Sequence, residues 1–221
     1  MVLNNMGIYY DIVGEWENAV KYYKKSLSIY KKLNNIIQIS NTMGNIGFAY
    51  SYLNKSKIAI YHFKESVILS EKIGDIYNKG INLIHLSEEY LKKDNFSKAK
   101  YYIIQAEKIF NKLEDKLGLA DVFKLKGILS KKLKDWESSN KFFKRSIKIY
   151  SQQGDRLNEG ETYYEWGDML FIMTISELSI FSLILYPFSL NFPQITSVST
   201  KFLGQPNDFI PTRIFSNYPL Y

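Results

Sequence analysis

Apolar and small residues recur along this chain at spacings of three and four, and the whole arrangement returns every forty residues. Gly7, Gly47, Ser87, Gly127 and Gly167 share one phase, and Tyr10, Tyr50 and Tyr90 follow three residues later. Ala19, Ala59, Ala99 and Ser139 form a second small column, followed at four residues by Tyr23, Phe63, Ile103 and Phe143. A third small column, Ser26, Ser66, Ala106 and Ser146, closes the pattern. Within residues 36–75 the run Met43, Ile46, Gly47, Tyr50 and the run Ile58, Ala59, Phe63, Ser66, Val67 each predict an amphipathic helix. LNKS at 53–56 supplies the break between them, with Ser56 read as an N-cap. The corresponding joins are VGEW, KKDN and LKDW, and the joins between units are NN, GD, ED and GD. Gly or Asn just past a helix end is a C-cap signal. Each unit is therefore expected to be a helix–turn–helix with arms of about eighteen residues, roughly 27 Å long.

Two antiparallel helices approach to about 8 Å only where a side chain at the crossing is very small. Gly47 and Ala59 meet that need, with Tyr50 and Phe63 filling the space beside them. Fixed-period similarity of this length predicts an all-α solenoid, in which each unit buries its apolar face against its neighbours. The expected units are 1–35, 36–75, 76–115 and 116–155, then 156–171 as the first helix of a fifth. Residues 172–221 stand apart as an anomalous tail.

The glycine, tyrosine, alanine and aromatic columns together resemble the tetratricopeptide repeat over about residues 1–171. The period is forty rather than the family's usual 34, and the family's proline after the second helix is missing from every unit; this is similar to the extended subclass. The resemblance implies a right-handed superhelix of antiparallel helix pairs whose first helices line a concave groove. It places Asn4, Asn5, Ile8 and Asp11 of unit one there, with Asn45, Phe48 and Tyr52 of unit two and His85, Glu88 and Lys92 of unit three. Lys124, Ile128, Lys131 and Lys132 of unit four follow, then Tyr164, Glu165 and Asp168. Asn5 and Asn45 match positions from which an amide pairs with a peptide backbone. An extended acidic segment with apolar anchors would suit a patch from Phe48 and Tyr52 to Lys92, Lys124 and Lys132. The expected function is a non-enzymatic interaction module that binds a peptide or protein segment. The alternative is the sensor or regulatory array of a larger signalling or transcription protein.

Composition narrows the chemistry. There is no cysteine, hence no thiolate site and no disulfide, and a cytoplasmic location is expected. The opening residues lack the pattern of a secretory signal. Only two histidines occur: His62 sits in an aromatic column, and His85 has Glu88 one turn away but no third ligand at helical spacing. No phosphate-binding glycine loop is present, and Glu88 and Glu89 read as surface residues. No catalytic residue, metal or cofactor is expected, and no nucleic acid partner, since the repeated tyrosines read as core. The formal net charge is +7, and all five prolines and only four of the charged residues lie beyond residue 171. The tail admits three readings: a membrane anchor over 169–190, an apolar second helix docked as a cap, or sequence foreign to the repeats. Met1 falls inside the first helix, so both ends read as cuts through a longer array.

Overall fold

The computed structural model describes the backbone of residues 2–185 and the side chains of residues 2–176. Among the described residues every regular element is an α-helix: α1 Val2–Ile12, α2 Trp16–Lys32, α3 Ile36–Tyr52, α4 Ser56–Ile73, α5 Ile76–Lys92, α6 Phe96–Lys112, α7 Lys116–Lys132, α8 Trp136–Gln153 and α9 Arg156–Leu185. Met1–Met169 form one compact unit and Leu170–Tyr221 a second. Within the first unit, each helix from α1 to α7 packs on the next in sequence, and α5 also touches α3 and α7. This is an all-α solenoid, with α1, α3, α5, α7 and α9 as first helices (A) and α2, α4, α6 and α8 as second helices (B).

The helices end alike for a backbone reason. Gly14, Asn34, Asn54, Gly74, Asp94, Glu114, Lys134 and Gly154 all have positive φ, one every twenty residues. After each of them the next amide turns back to the carbonyl five residues earlier, as in Asn35 to Tyr30, Asp75 to Ser70 and Asp135 to Ser130. That is the left-handed C-cap, which satisfies carbonyls the helix would otherwise leave bare. The same residues then open the next helix: the side chains of Asn35, Asp75, Asn95, Asp115 and Asp135 accept from amides two or three positions on. Ser56 is not such a cap. Lys55 holds that position without a side-chain bond, because the left-handed register puts Ser56 already inside the helix, where its hydroxyl is used elsewhere.

The register fails once. Thr174 is the next residue in the twenty-residue series, and a β-branched side chain is strongly disfavoured at positive φ. No turn occurs there, and α9 continues to Leu185. Residues 172–185 are thus a continuation of the first helix of unit five and not a second helix folded back as a cap. Residues 186–221, with the rest of the tail, lie outside the described residues. Among the described residues no helix is long and apolar enough to cross a membrane, and the anchor reading over 169–190 reaches beyond them.

The small columns act on the aromatic four residues past the alanine. A Cβ added at Gly47 would lie 2.7 Å from the Phe63 ring, and one at Gly127 would lie 2.7 Å from Phe143. Both rings are fully buried. The core along the array is Ala19, Tyr23, Ile46, Phe63, Leu86, Ile103, Phe110 and Leu125, joined in one cluster. Burying such side chains contributes about 1.5–3 kcal/mol each.

Candidate helix A interface

Most of the predicted polar and aromatic residues fall into two assemblies. The first assembly is aromatic. Tyr52, near the end of α3, stacks on Trp16, which opens α2, with ring centroids 4.2 Å apart. Phe48, one turn before Tyr52, lies 4.8 Å from it and 5.5 Å from the His85 ring of α5. His85 in turn stacks at 5.1 Å on the buried Phe63, and its Nδ1 lies 3.1 Å from Glu88 Oε2. Phe48 and His85 are half-buried, while Tyr52 is 42% exposed. Four predicted residues (Phe48, Tyr52, His85 and Glu88) are therefore brought together around one aromatic patch.

Trp16 was missed by the sequence reading because it belongs to helix B. The signal was there: its column is Trp16, Ser56, Phe96 and Trp136, aromatic in three units of four. A flat, partly exposed aromatic surface buries much area at low entropic cost and commonly anchors a partner.

The second assembly is ionic and links successive A helices. Lys92 Nζ donates to Ser51 Oγ at 2.7 Å and to Glu89 Oε1 at 2.7 Å. Lys132 reaches Asp94 at 2.7 Å, and Lys131 reaches Glu165 at 2.5 Å and Asp168 at 2.9 Å. Burial works against the Lys131 cation, but the hydrogen bonds and charges of Glu165 and Asp168 outweigh it and raise its pKa. Lys124 is buried, with Nζ 3.3 Å from Glu161 and 3.7 Å from Asp121. All four predicted lysines thus spend charge on their own chain. Asn5 is exposed on α1 and Asn45 half-buried on α3, apart from both assemblies.

Two acids read as surface or groove residues are interior ones. Glu89 is 1% exposed. Ser51 donates to its Oε1 at 2.6 Å, Ser56 donates to its Oε2, and Lys92 completes the set. Burial alone would raise its pKa, but these hydrogen bonds and the Lys92 charge prevail and lower it. One carboxylate therefore ties α3, α4 and α5 together. Asp11 is also buried, and Tyr23 donates to its Oδ2 at 3.1 Å. Burial pushes its pKa up to about 7 against that hydrogen bond. It supports the core of unit one and is withdrawn from the face assigned to it.

Among the described residues no three His, Cys, Asp or Glu side chains converge as a metal site. Residues 1–72 match the family model described as tetratricopeptide repeat. No curated protein matches the chain. Among solved structures, the crystal structure of BtubC (BKLC) from P. vanneervenii is 14% identical, covering 87% of this chain and 83% of that one with a TM-score of 0.60. That likeness shows the fold. A second, described as a Podosopora anserina putative kinesin light chain with nearly identical TPR-like repeats, is 14% identical over 76% of this chain and 93% of that one, with a TM-score of 0.49. Over residues 1–72 the chain is similar to the tetratricopeptide repeat, whose repeats serve generally as scaffolds for protein–protein interaction, and its antiparallel pairs and glycine-under-aromatic crossings continue that pattern into the later units.

Proposed function

We propose that this chain binds a peptide or protein segment along its helix A face, with Trp16, Phe48 and Tyr52 as the anchor. The observation that carries the reading is the stacked Trp16–Tyr52 pair, partly exposed beside Phe48 and His85. An apolar or aromatic side chain of the partner covers this patch, and the ion pairs that flank it keep the A helices in register. An acidic residue in the partner meets Lys92, whose side chain remains 51% exposed in its pair with Glu89. Lys124 contributes rigidity rather than contact, since desolvating it again for a partner would sacrifice two existing ion pairs. Each helix pair, 36–75, 76–115 and 116–155, acts as one unit of this surface, and 1–35 with 156–171 complete its edges.

The test is a pull-down followed by affinity measurement on the captured partner. Trp16→Ala with Tyr52→Ala is compared with Lys100→Glu plus Lys108→Glu on α6. Loss of an interface aromatic anchor costs about 2 kcal/mol or more, a thirtyfold or larger fall in affinity. The α6 pair is expected to leave that affinity within about threefold. Equal losses in the two variants refute the helix A assignment.

A further inference from the structure

The basic excess of this protein is not spread evenly over its helices. The four B helices carry sixteen Lys and Arg against five Asp and Glu, whereas the five A helices carry eight against nine. The exposed stripe of the B helices sharpens the contrast. Past an opening turn of Glu17, Lys57, Ser97 and Glu137, its first column is Lys21, Tyr61, Tyr101 and Lys141. One turn on comes Lys24, Lys64, Ile104 and Lys144, and one further turn on comes Ser28, Ile68, Lys108 and Lys148. All twelve positions are exposed, and none is acidic.

The seven lysines in this stripe differ from those of the A face. None takes part in an ion pair among the described residues. Lys24 and Lys144 instead hold Nζ over aromatic rings, 5.3 Å from the Tyr50 centroid and 5.6 Å from the Trp166 centroid. The non-basic positions hold two tyrosines, two isoleucines and one serine. Ile68 is 59% exposed, and Tyr61 and Tyr101 exceed half. Apolar side chains and tyrosine rings in the middle, with lysines around them, are the residue types that settle at the boundary of headgroups and acyl chains.

We propose that this helix B stripe is a docking surface for an anionic membrane, distinct from the peptide surface on helix A and independent of it. Lysine heads meet lipid phosphates and carboxylates, while Ile68, Ile104 and the two tyrosines enter the interface. A nucleic acid would use the lysines but gives the isoleucines nothing to do. The two tyrosine rings also pack edge-on against His62 and Tyr102, at 76° and 77°, rather than standing as an open stack for bases. No membrane-crossing helix is needed, because attachment of this kind lies on the surface.

The experiment is co-sedimentation of the full chain with vesicles of phosphatidylcholine alone and of phosphatidylcholine with one third phosphatidylserine. The chain is expected to partition to the anionic vesicles and to be released as salt is raised, because the attraction decays within a Debye length. Lys64→Glu, Lys108→Glu and Lys148→Glu together should weaken partitioning about a hundredfold or more. Ile68→Ser with Ile104→Ser should weaken it about tenfold, as inserted apolar area is lost. The control is Lys93→Glu, Lys116→Glu and Lys134→Glu, an equal change in net charge placed in the turns and at a helix start. It should change partitioning by less than about threefold beyond the general field. Circular dichroism of each variant reports that the helices persist. Absence of partitioning to anionic vesicles overturns the proposal. So does equal loss in the two lysine triples, or binding retained by every variant, which would credit the tail. An oligonucleotide or a polyglutamate peptide bound through the same lysines, without vesicle partitioning, reassigns the face and overturns it too.

Discussion

Glu89 shows how a single residue can carry an interface that its type disguises. Its repeat column is Tyr9, Ala49, Leu129 and Met169; Tyr9 of the first unit is exposed, but the other three are buried, which marks this position as interior within the array. By residue type alone Glu89 reads as a surface acid; only its column reveals the interior position. Replacing it with alanine leaves Ser51, Ser56 and Lys92 without their acceptor and should cost about 3 kcal/mol in chemical denaturation. Because its folded pKa is lowered, its stabilisation is complete above the ordinary carboxylate value and fades as pH falls through the folded one. Asp11 has the opposite sign. Its pKa is raised to about 7, so its contribution is complete below the ordinary value near 3.8 and is lost as pH rises through about 7. Asp11→Asn should therefore stabilise the protein relative to the parent at pH above 7, with the gain shrinking toward pH 5. Thermal melts across that range check the sign; a constant difference at all pH values contradicts it.

At the scale of elements, the helices and their pairing were legible, because amphipathic spacing, small columns and polar joins all pointed the same way. The common turn was not. Five of its eight left-handed residues are Asn, Asp, Glu or Lys rather than glycine, so the twenty-residue register is written in backbone geometry more than in composition. The end of α9 was hidden for the same reason, since it depends on what Thr174 cannot adopt. Two helical glycines separate packing from propensity. Gly127 lies under Phe143, so Gly127→Ala should cost about 1–3 kcal/mol by overpacking despite the better helix former. Gly160 has no described atom within 4 Å of an added Cβ, so Gly160→Ala should stabilise by about 0.5–1 kcal/mol. Urea midpoints with unchanged m-values would establish both; losses of equal size would mean that the glycine columns have no steric purpose.

For the whole molecule, the arrangement separates two surfaces by their electrostatics. On the A face, Lys92, Lys124, Lys131 and Lys132 are tied to acids of the same chain, whereas the B helices hold a basic excess whose lysines form no ion pair among the described residues. Phe48 and Tyr52 of the candidate site were legible as neighbours one turn apart, and both lie on α3. The site was not legible at Trp16, which comes from a B helix, or in the lysines, whose partners other than Glu89 and Asp121 lie 34 to 41 residues away and cannot be read from local spacing. In the proposed function a protein segment is held by the aromatic patch of helix A. Site-specific photocrosslinking tests it most directly, with a benzophenone amino acid placed at Tyr52 in one preparation and at Tyr101 of α6 in another. A discrete crosslinked protein is expected from position 52, abolished by Trp16→Ala, and none from position 101. A crosslinked protein from position 101 with none from position 52 would contradict it.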